Sequence, residues 1–367
     1  MTLQTIENFD LVKKRMDAWW HHDLIDRVAV MVTAPRATPL AMAQELPKPA
    51  TITEEWTNPE YYAYKIRKWA SQTYFGGDMF PTFPAYLGPG QLAGFLGCPP
   101  TYAEDTVWYH AILKDINTFR PYRFDPNHPH YQLTKSLLRL ALSKHQDWLV
   151  PTTADLGGPM DVAQAVRGSD LLLDVMDAPE KVHQLLRNLQ EIWFACFDDL
   201  KKEMDGKMDG FCTTFNLWCE KDYYPLQCDF SAMISPAMYG EFVLPYVAEQ
   251  VDRLTYSLYH LDGPEAIPHL DMILRLKKLH AIQWVPGAGK PQSDDPVWIP
   301  LYKKIQAAGK SLALWDAKKG NVQQIIRELK PEGLLIHIAP DQFTSEAEAR
   351  DFVEQVEKWT TSRLRRQ

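Results

Sequence analysis

The stretch SLYHLDGPEAIPHLD, residues 257–271, brings His260, Asp262 and His269 close to one Gly-Pro break. His260 and Asp262 are two residues apart at the end of an apolar, β-prone run, and in an extended strand residues i and i+2 point the same way. An imidazole and a carboxylate on one face share a metal ion, or the carboxylate orients the imidazole as a general base. The structural alternative is a packed histidine followed by a turn-forming Asp, since Asp before Gly is common turn chemistry. Other strand-like runs end in polar groups of similar use. They supply Thr153 and Asp155, Phe215 and Asn216, Asp229, Gln283 and Trp284, Trp315 and Asp316, and His337. Asp155 and Asp316 would serve equally as helix caps, and Asn216 as a turn residue. His21, His22, His128, His130 and His269 read as surface or loop residues.

These residues need a frame that gathers strand ends. Eight runs read as strands: 28–33, 147–153, 210–215, 226–230, 255–261, 281–285, 311–315 and 333–338. Helical patterns lie between them at 179–204, 236–253, 264–278, 296–308, 319–329 and 344–360, with further helices near 59–75 and 129–144. Strands alternating with helices predict parallel βαβ units. An open dinucleotide-binding sheet should carry G-x-G-x-x-G after its first strand, and none is present. The expected fold is therefore α/β, a (β/α)8 TIM barrel with an N-terminal elaboration, whose active site gathers at the C-terminal strand ends. The expected organisation is one domain over 1–367, with the first strand and elaboration at 26–146 and regular βα units at 147–360.

Composition bounds the chemistry. The 367 residues carry 39 Lys plus Arg against 47 Asp plus Glu, a formal net charge of −8, and no dense basic run, so nucleic acid is not an expected partner. No apolar run approaches the ~20 residues of a membrane span, and the N-terminus lacks a signal-peptide core, which predicts a cytoplasmic protein that does not enter membranes. Five scattered cysteines without a C-x-x-C pair predict reduced thiols and exclude a zinc-finger-type site. The 12 tryptophans, several beside turn signals, suit both core packing and the walls of an organic-ligand pocket. WVPGAGKP (284–291) lacks the spacing and the Ser/Thr of a phosphate loop. In DLGGPMD (155–161), Gly157 and Gly158 permit close approach, and Pro159 opens a helix whose Asp161 would oppose an anion.

Four segments in order, DLGGPMDVAQAVRGSDLLLDVMDAPEKVHQLL, ISPAMYGEFVLPYV, YHLDGPEAIPHLDMIL and IQWVPGAG, together resemble the uroporphyrinogen decarboxylase superfamily. The similarity runs from residue 26 to the last helix, and residues 235–246 are its most specific piece. The resemblance implies a (β/α)8 barrel, a small-molecule substrate and a homodimer. In true decarboxylases an arginine-rich stretch binds substrate carboxylates. The matching region here offers Arg36 alone, with Asp78 as its nearby acid, which poorly suits a polycarboxylated tetrapyrrole. In the methyltransferase branch, which serves corrinoid proteins with coenzyme M or tetrahydrofolate, a His-x-Cys motif binds zinc. Here that place reads His260-Leu261-Asp262, and the later zinc-binding Cys has no counterpart, His337 being nearest. An Asp/His set is harder than a thiolate set and favours an oxygen-bound substrate or water.

The resemblance therefore implies, for a bound zinc or other divalent ion, the ligands His260, Asp262 and His337 with a fourth position open. Without a metal, His260 becomes a general base, with Asp155 or Asp229 trading protons. Trp284, Trp315, Gln283, Asn216 and Arg36 are the expected substrate-binding residues. The leading expectation is metal-assisted methyl transfer with a corrinoid or folate system. Decarboxylation or another lyase reaction is the first alternative, and a non-catalytic ligand-binding barrel the second.

Overall fold

The computed structural model describes residues 3–42 and 45–365. After a helix at Phe9–Trp20 come β1 (Ala29–Pro35), β2 (Thr73–Gly77) and β3 (Thr82–Pro84). β4 (Pro100–Tyr102) and β5 (Val107–Tyr109) form a small antiparallel pair, followed by β6 (Val150–Thr152), β7 (Phe211–Cys212) and β8 (Trp218–Cys219). β9 (Tyr223–Leu226), β10 (Tyr256–Asp262), β11 (Ala281–Val285), β12 (Ser311–Ala317) and β13 (Leu334–Ile338) complete the strands. One seven-stranded sheet has the order β2-β1-β13-β12-β11-β10-β9, parallel except for β2. Its strands are near-continuous apolar runs because helices cover the sheet and both faces are buried.

A mixed α/β architecture thus matches the expected class, but a closed eight-stranded barrel is not shown. β3 pairs with β6 and β7 with β8, outside the main sheet. One backbone bond, Thr153 N–H to Cys212 O at 3.2 Å, joins the end of β6 to β7. Between β7 and β9 a side chain does the bridging: the Tyr223 hydroxyl donates to Leu217 O at 2.7 Å and accepts from Thr213 N–H at 3.3 Å. The strands bordering these gaps are short, and Pro151 in β6 and Pro225 in β9 each lack a ladder donor.

Several expected elements shift. The strand expected at 226–230 lies at Tyr223–Leu226, and Asp229–Met233 is a 3-10 turn. The helix expected at 236–253 is two, Pro236–Phe242 and Leu244–Arg253, because Pro245 cannot donate its missing N–H back into a continuous helix. The helix expected at 264–278 becomes a 3-10 segment, Pro264–His269, and a short helix, Leu270–Leu274, with Pro268 inside the first. The long helix Pro179–Met204 stands where its pattern places it, Pro at its first position and Leu185, Leu189, Trp193 and Leu200 on its buried face.

Two features brace the sheet. Asp78 is fully buried after β2; its carboxylate receives Arg27 at 2.6 and 3.2 Å, Arg15 at 3.3 Å and the Val30 N–H of β1 at 2.9 Å. All five cysteines are free and buried. Among the described residues no helix is long and apolar enough to cross a membrane.

Candidate metal centre

β10 carries His260 and Asp262 on one face, as their spacing requires, and its Cα partners on β11 are Gln283 and Val285. Gln283 is buried, and its Oε1 hydrogen-bonds His260 Nδ1. With an amide oxygen at Nδ1, that nitrogen carries the proton and donates, so Nε2 keeps its lone pair for a ligand or a proton. Asp229 opens the 3-10 turn that follows β9. One ligand atom from each of Asp229, His260 and Asp262 lies within 4.8 Å of the others, the one such group of three acid, histidine or cysteine side chains among the described residues.

Asp229 is held from below. The 3-10 turn begins after Cys228, which offers no side-chain cap. Asp161, in the first turn of the helix Pro159–Arg167, supplies one instead: its Oδ1 accepts the Phe230 N–H at 3.0 Å. The two segments touch because residue 158 is glycine; a Cβ there would sit 2.2 Å from Gln227 O. Asp161 Oδ2 is buried without a partner.

Burial dominates the electrostatics. Desolvation, then the charge of Asp229, pushes the Asp161 carboxyl well above the usual carboxylate range. Asp229 is also raised, by desolvation first, with His260 opposing and Asp262 adding to the rise. Asp229 is exposed by surface area although protein crowds it on most sides, so solvent tempers that rise. Asp155 is pushed up to about 6 by desolvation, against hydrogen bonds from the N–H groups of Gly157 at 2.9 Å and Gly90 at 3.4 Å.

Aromatic rings continue from the triad. Phe215 stands edge-on to His260, ring centroids 5.4 Å apart, and meets Trp315 at 6.3 Å. Trp315 stacks on His337 at 4.8 Å. Asn216 accepts a hydrogen bond from the Thr82 hydroxyl at 2.8 Å. His337 lies outside the triad, its Nδ1 3.5 Å from Asp316 Oδ1 and 3.5 Å from the Asp316 N–H. These two groups compete for one nitrogen, and both distances sit at the limit of a hydrogen bond.

Three expectations are corrected by position. Trp284 does not share the face of β11 that carries Gln283: it is fully buried and packs on Trp298 at 5.0 Å, since it alternates with Gln283 along the strand. Arg36 donates to Thr73 O at 3.1 Å and Thr5 O at 2.6 Å, and lines a separate cavity of about 370 Å³ with Glu7, Arg15 and Arg350. His269 is buried, stacks on Tyr239 at 4.5 Å and lies 3.0 Å from Ser231 O through Nε2. The bracing role of Asp161 was not foreseen, although its place in the first turn after Gly-Gly-Pro marked it.

No protein-family model and no curated protein matches the sequence. Among solved structures, a methyltransferase from Methanosarcina mazei superposes with a TM-score of 0.58 over 96% of this chain and 98% of that one, at 12% identity. At that identity the likeness is one of fold.

Proposed function

We propose that this chain is a metal-assisted methyltransferase acting on a small organic molecule with a corrinoid or folate system, built on a barrel-type α/β scaffold. The observation that carries the reading is the Asp229–His260–Asp262 group, with Gln283 fixing the imidazole. Two carboxylates and one imidazole form a hard O,N,O set suited to zinc or another divalent ion, and a hydrogen bond from the far ring nitrogen to a fixed acceptor is the kind of support that orients a metal-binding histidine. A bound ion would supply Lewis-acid activation of an oxygen-bound substrate or acceptor. The likeness of fold to a methyltransferase supports the choice of reaction class.

The chain's own residues set the rest. Asp229 and Asp262 offset positive charge, Gln283 keeps Nε2 of His260 directed at the group, and Phe215 and Trp315 exclude water from one side. Asp155, with its carboxyl at about 6, takes or gives a proton at neutral pH. A corrinoid protein and a second copy of the chain are the partners this reading brings with it.

The same Asp155 favours a second reading, a lyase or decarboxylase using metal-free acid-base catalysis with His260. The two are separated by incubating the zinc-loaded protein with cob(I)alamin and a panel of methylated amines, ethers and thiols. Methyl transfer is read from the corrinoid spectrum. Transfer that requires zinc and is lost in His260→Ala supports the first reading; no transfer, together with carbon dioxide release from a parallel panel of small carboxylic acids that survives chelation, supports the second.

A further inference from the structure

Among the described residues, three non-glycine positions have left-handed backbone, and two of them, Asn216 (φ 53°) and Asp316 (φ 56°), directly follow Phe215 and Trp315. Asp316 also marks the register shift in the β12–β13 ladder. Asn and Asp are the side chains that enter this region most readily, which suits them to single-residue turns. Here each of these residues turns the chain just after an aromatic ring of the strip that runs from His260 through Phe215 and Trp315 to His337. His260 and His337 stand on β10 and β13, three strand spacings of about 4.8 Å apart along the sheet, so the strip spans roughly 14 Å. That is the length of a small organic molecule.

Carboxylates gather around the strip. Among the described residues Asp155, Asp229, Asp262 and Asp316 form no ion pair with Lys or Arg. On the loops after β11 and β12, Lys290 pairs with Glu265 at 3.0 Å and Lys319 pairs with Glu348. Lys318, two residues after Asp316, is exposed without an ion pair among the described residues. A divalent ion at the triad would offset Asp229 and Asp262 and leave Asp316 facing solvent beside the rings.

We propose that Trp315, His337 and Asp316, with Phe215, form the specificity pocket for the unreacting part of the substrate, and that this pocket takes a small organic cation. A quaternary or protonated amine with apolar groups rests on the Phe215 and Trp315 rings by cation–π attraction, with Asp316 supplying the opposite charge. A carboxylate or phosphate meets like charge and is rejected. The inference rests on the proposed function only in placing the reaction at the triad.

The test uses the full chain, with and without zinc, titrated calorimetrically with benzyltrimethylammonium and with benzoate. The expected result is binding of the cation in preference to benzoate, weakened about fivefold or more in Trp315→Leu and in Asp316→Asn. Asparagine tolerates left-handed backbone, so the second variant keeps the fold. Lys318→Ala should change nothing. Benzoate binding as tightly as the cation, no detectable cation binding at millimolar concentration, indifference to both pocket variants, or dependence on Lys318 overturns the proposal. Loss of cation binding in Asp262→Asn with none in Asp316→Asn also overturns it, by placing the cation at the triad. A chain that binds no zinc but keeps the cation preference would fail the metal reading and leave the pocket standing.

Discussion

His260 and Gln283 are Cα partners on neighbouring parallel strands and share a hydrogen bond between Nδ1 and Oε1. The pair fixes both the tautomer and the rotation of the imidazole before any ligand arrives. Gln283→Leu removes the acceptor at similar volume and is expected to weaken zinc binding about 10–100-fold. Competition with a chromophoric chelator measures this. Unchanged zinc affinity in the variant would show that the amide does not orient the ring.

Asp78 anchors the opposite aspect of the account, the brace between β1 and β2. Its removal leaves Arg27, itself buried, without a counter-charge. Asp78→Ala should cost about 3–5 kcal/mol in unfolding free energy, because an unpaired buried charge is expensive. Urea denaturation reads the loss. A change below about 1 kcal/mol would mean that the network is dispensable.

Acid should destabilise the fold below neutral pH. Burial holds His130 and His280 down at about 4, against 6.5 in the unfolded chain, and His280 Nδ1 accepts the Ser257 N–H at 3.3 Å, which requires the neutral ring. The native state binds fewer protons than the unfolded one, so the stability is present above pH 6.5 and is lost as pH falls toward about 4. Asp155 has the opposite sign. Its raised carboxyl gives stability that is full below 3.8 and lost as pH rises through about 6. Asp161 and Asp229, also raised, act in the same sense as Asp155, while burial lowers His22, His145 and His269 as well; five histidines against three carboxyls predict a Tm that falls on acidification below about pH 6, less steeply in His280→Gln. A Tm that holds or rises over that range would contradict the assignment.

The sequence was most informative where a short-range rule decides geometry. His260 and Asp262 share a face because strand side chains alternate. The same rule separates Gln283 from Trp284, so both could not have lined one site. Asp229 is expected at a strand end and instead sits on a 3-10 turn; it still reaches His260 because β9 runs parallel beside β10, so the turn after β9 lies next to the end of β10. What local pattern could not show depends on contacts far apart in the chain. Asp161 meets Phe230 across 69 residues, His337 turns to Asp316 and Trp315 rather than to the triad, and β2 runs antiparallel out of the Gly-rich elaboration. The departure from the expected eight-stranded barrel is of the same kind, since the strands outside the main sheet at Val150–Thr152 and Phe211–Cys212 have three and two residues, whose periodicity carries little signal.

Metal content tests the central claim most directly. Elemental analysis of purified wild type should give a near-stoichiometric divalent ion. Asp229→Ala, His260→Ala and Asp262→Ala should each lose it, while His337→Ala, altered outside the triad, should keep it. A folded wild type without metal, or an ion retained when Asp229 and His260 are both removed, would contradict the account.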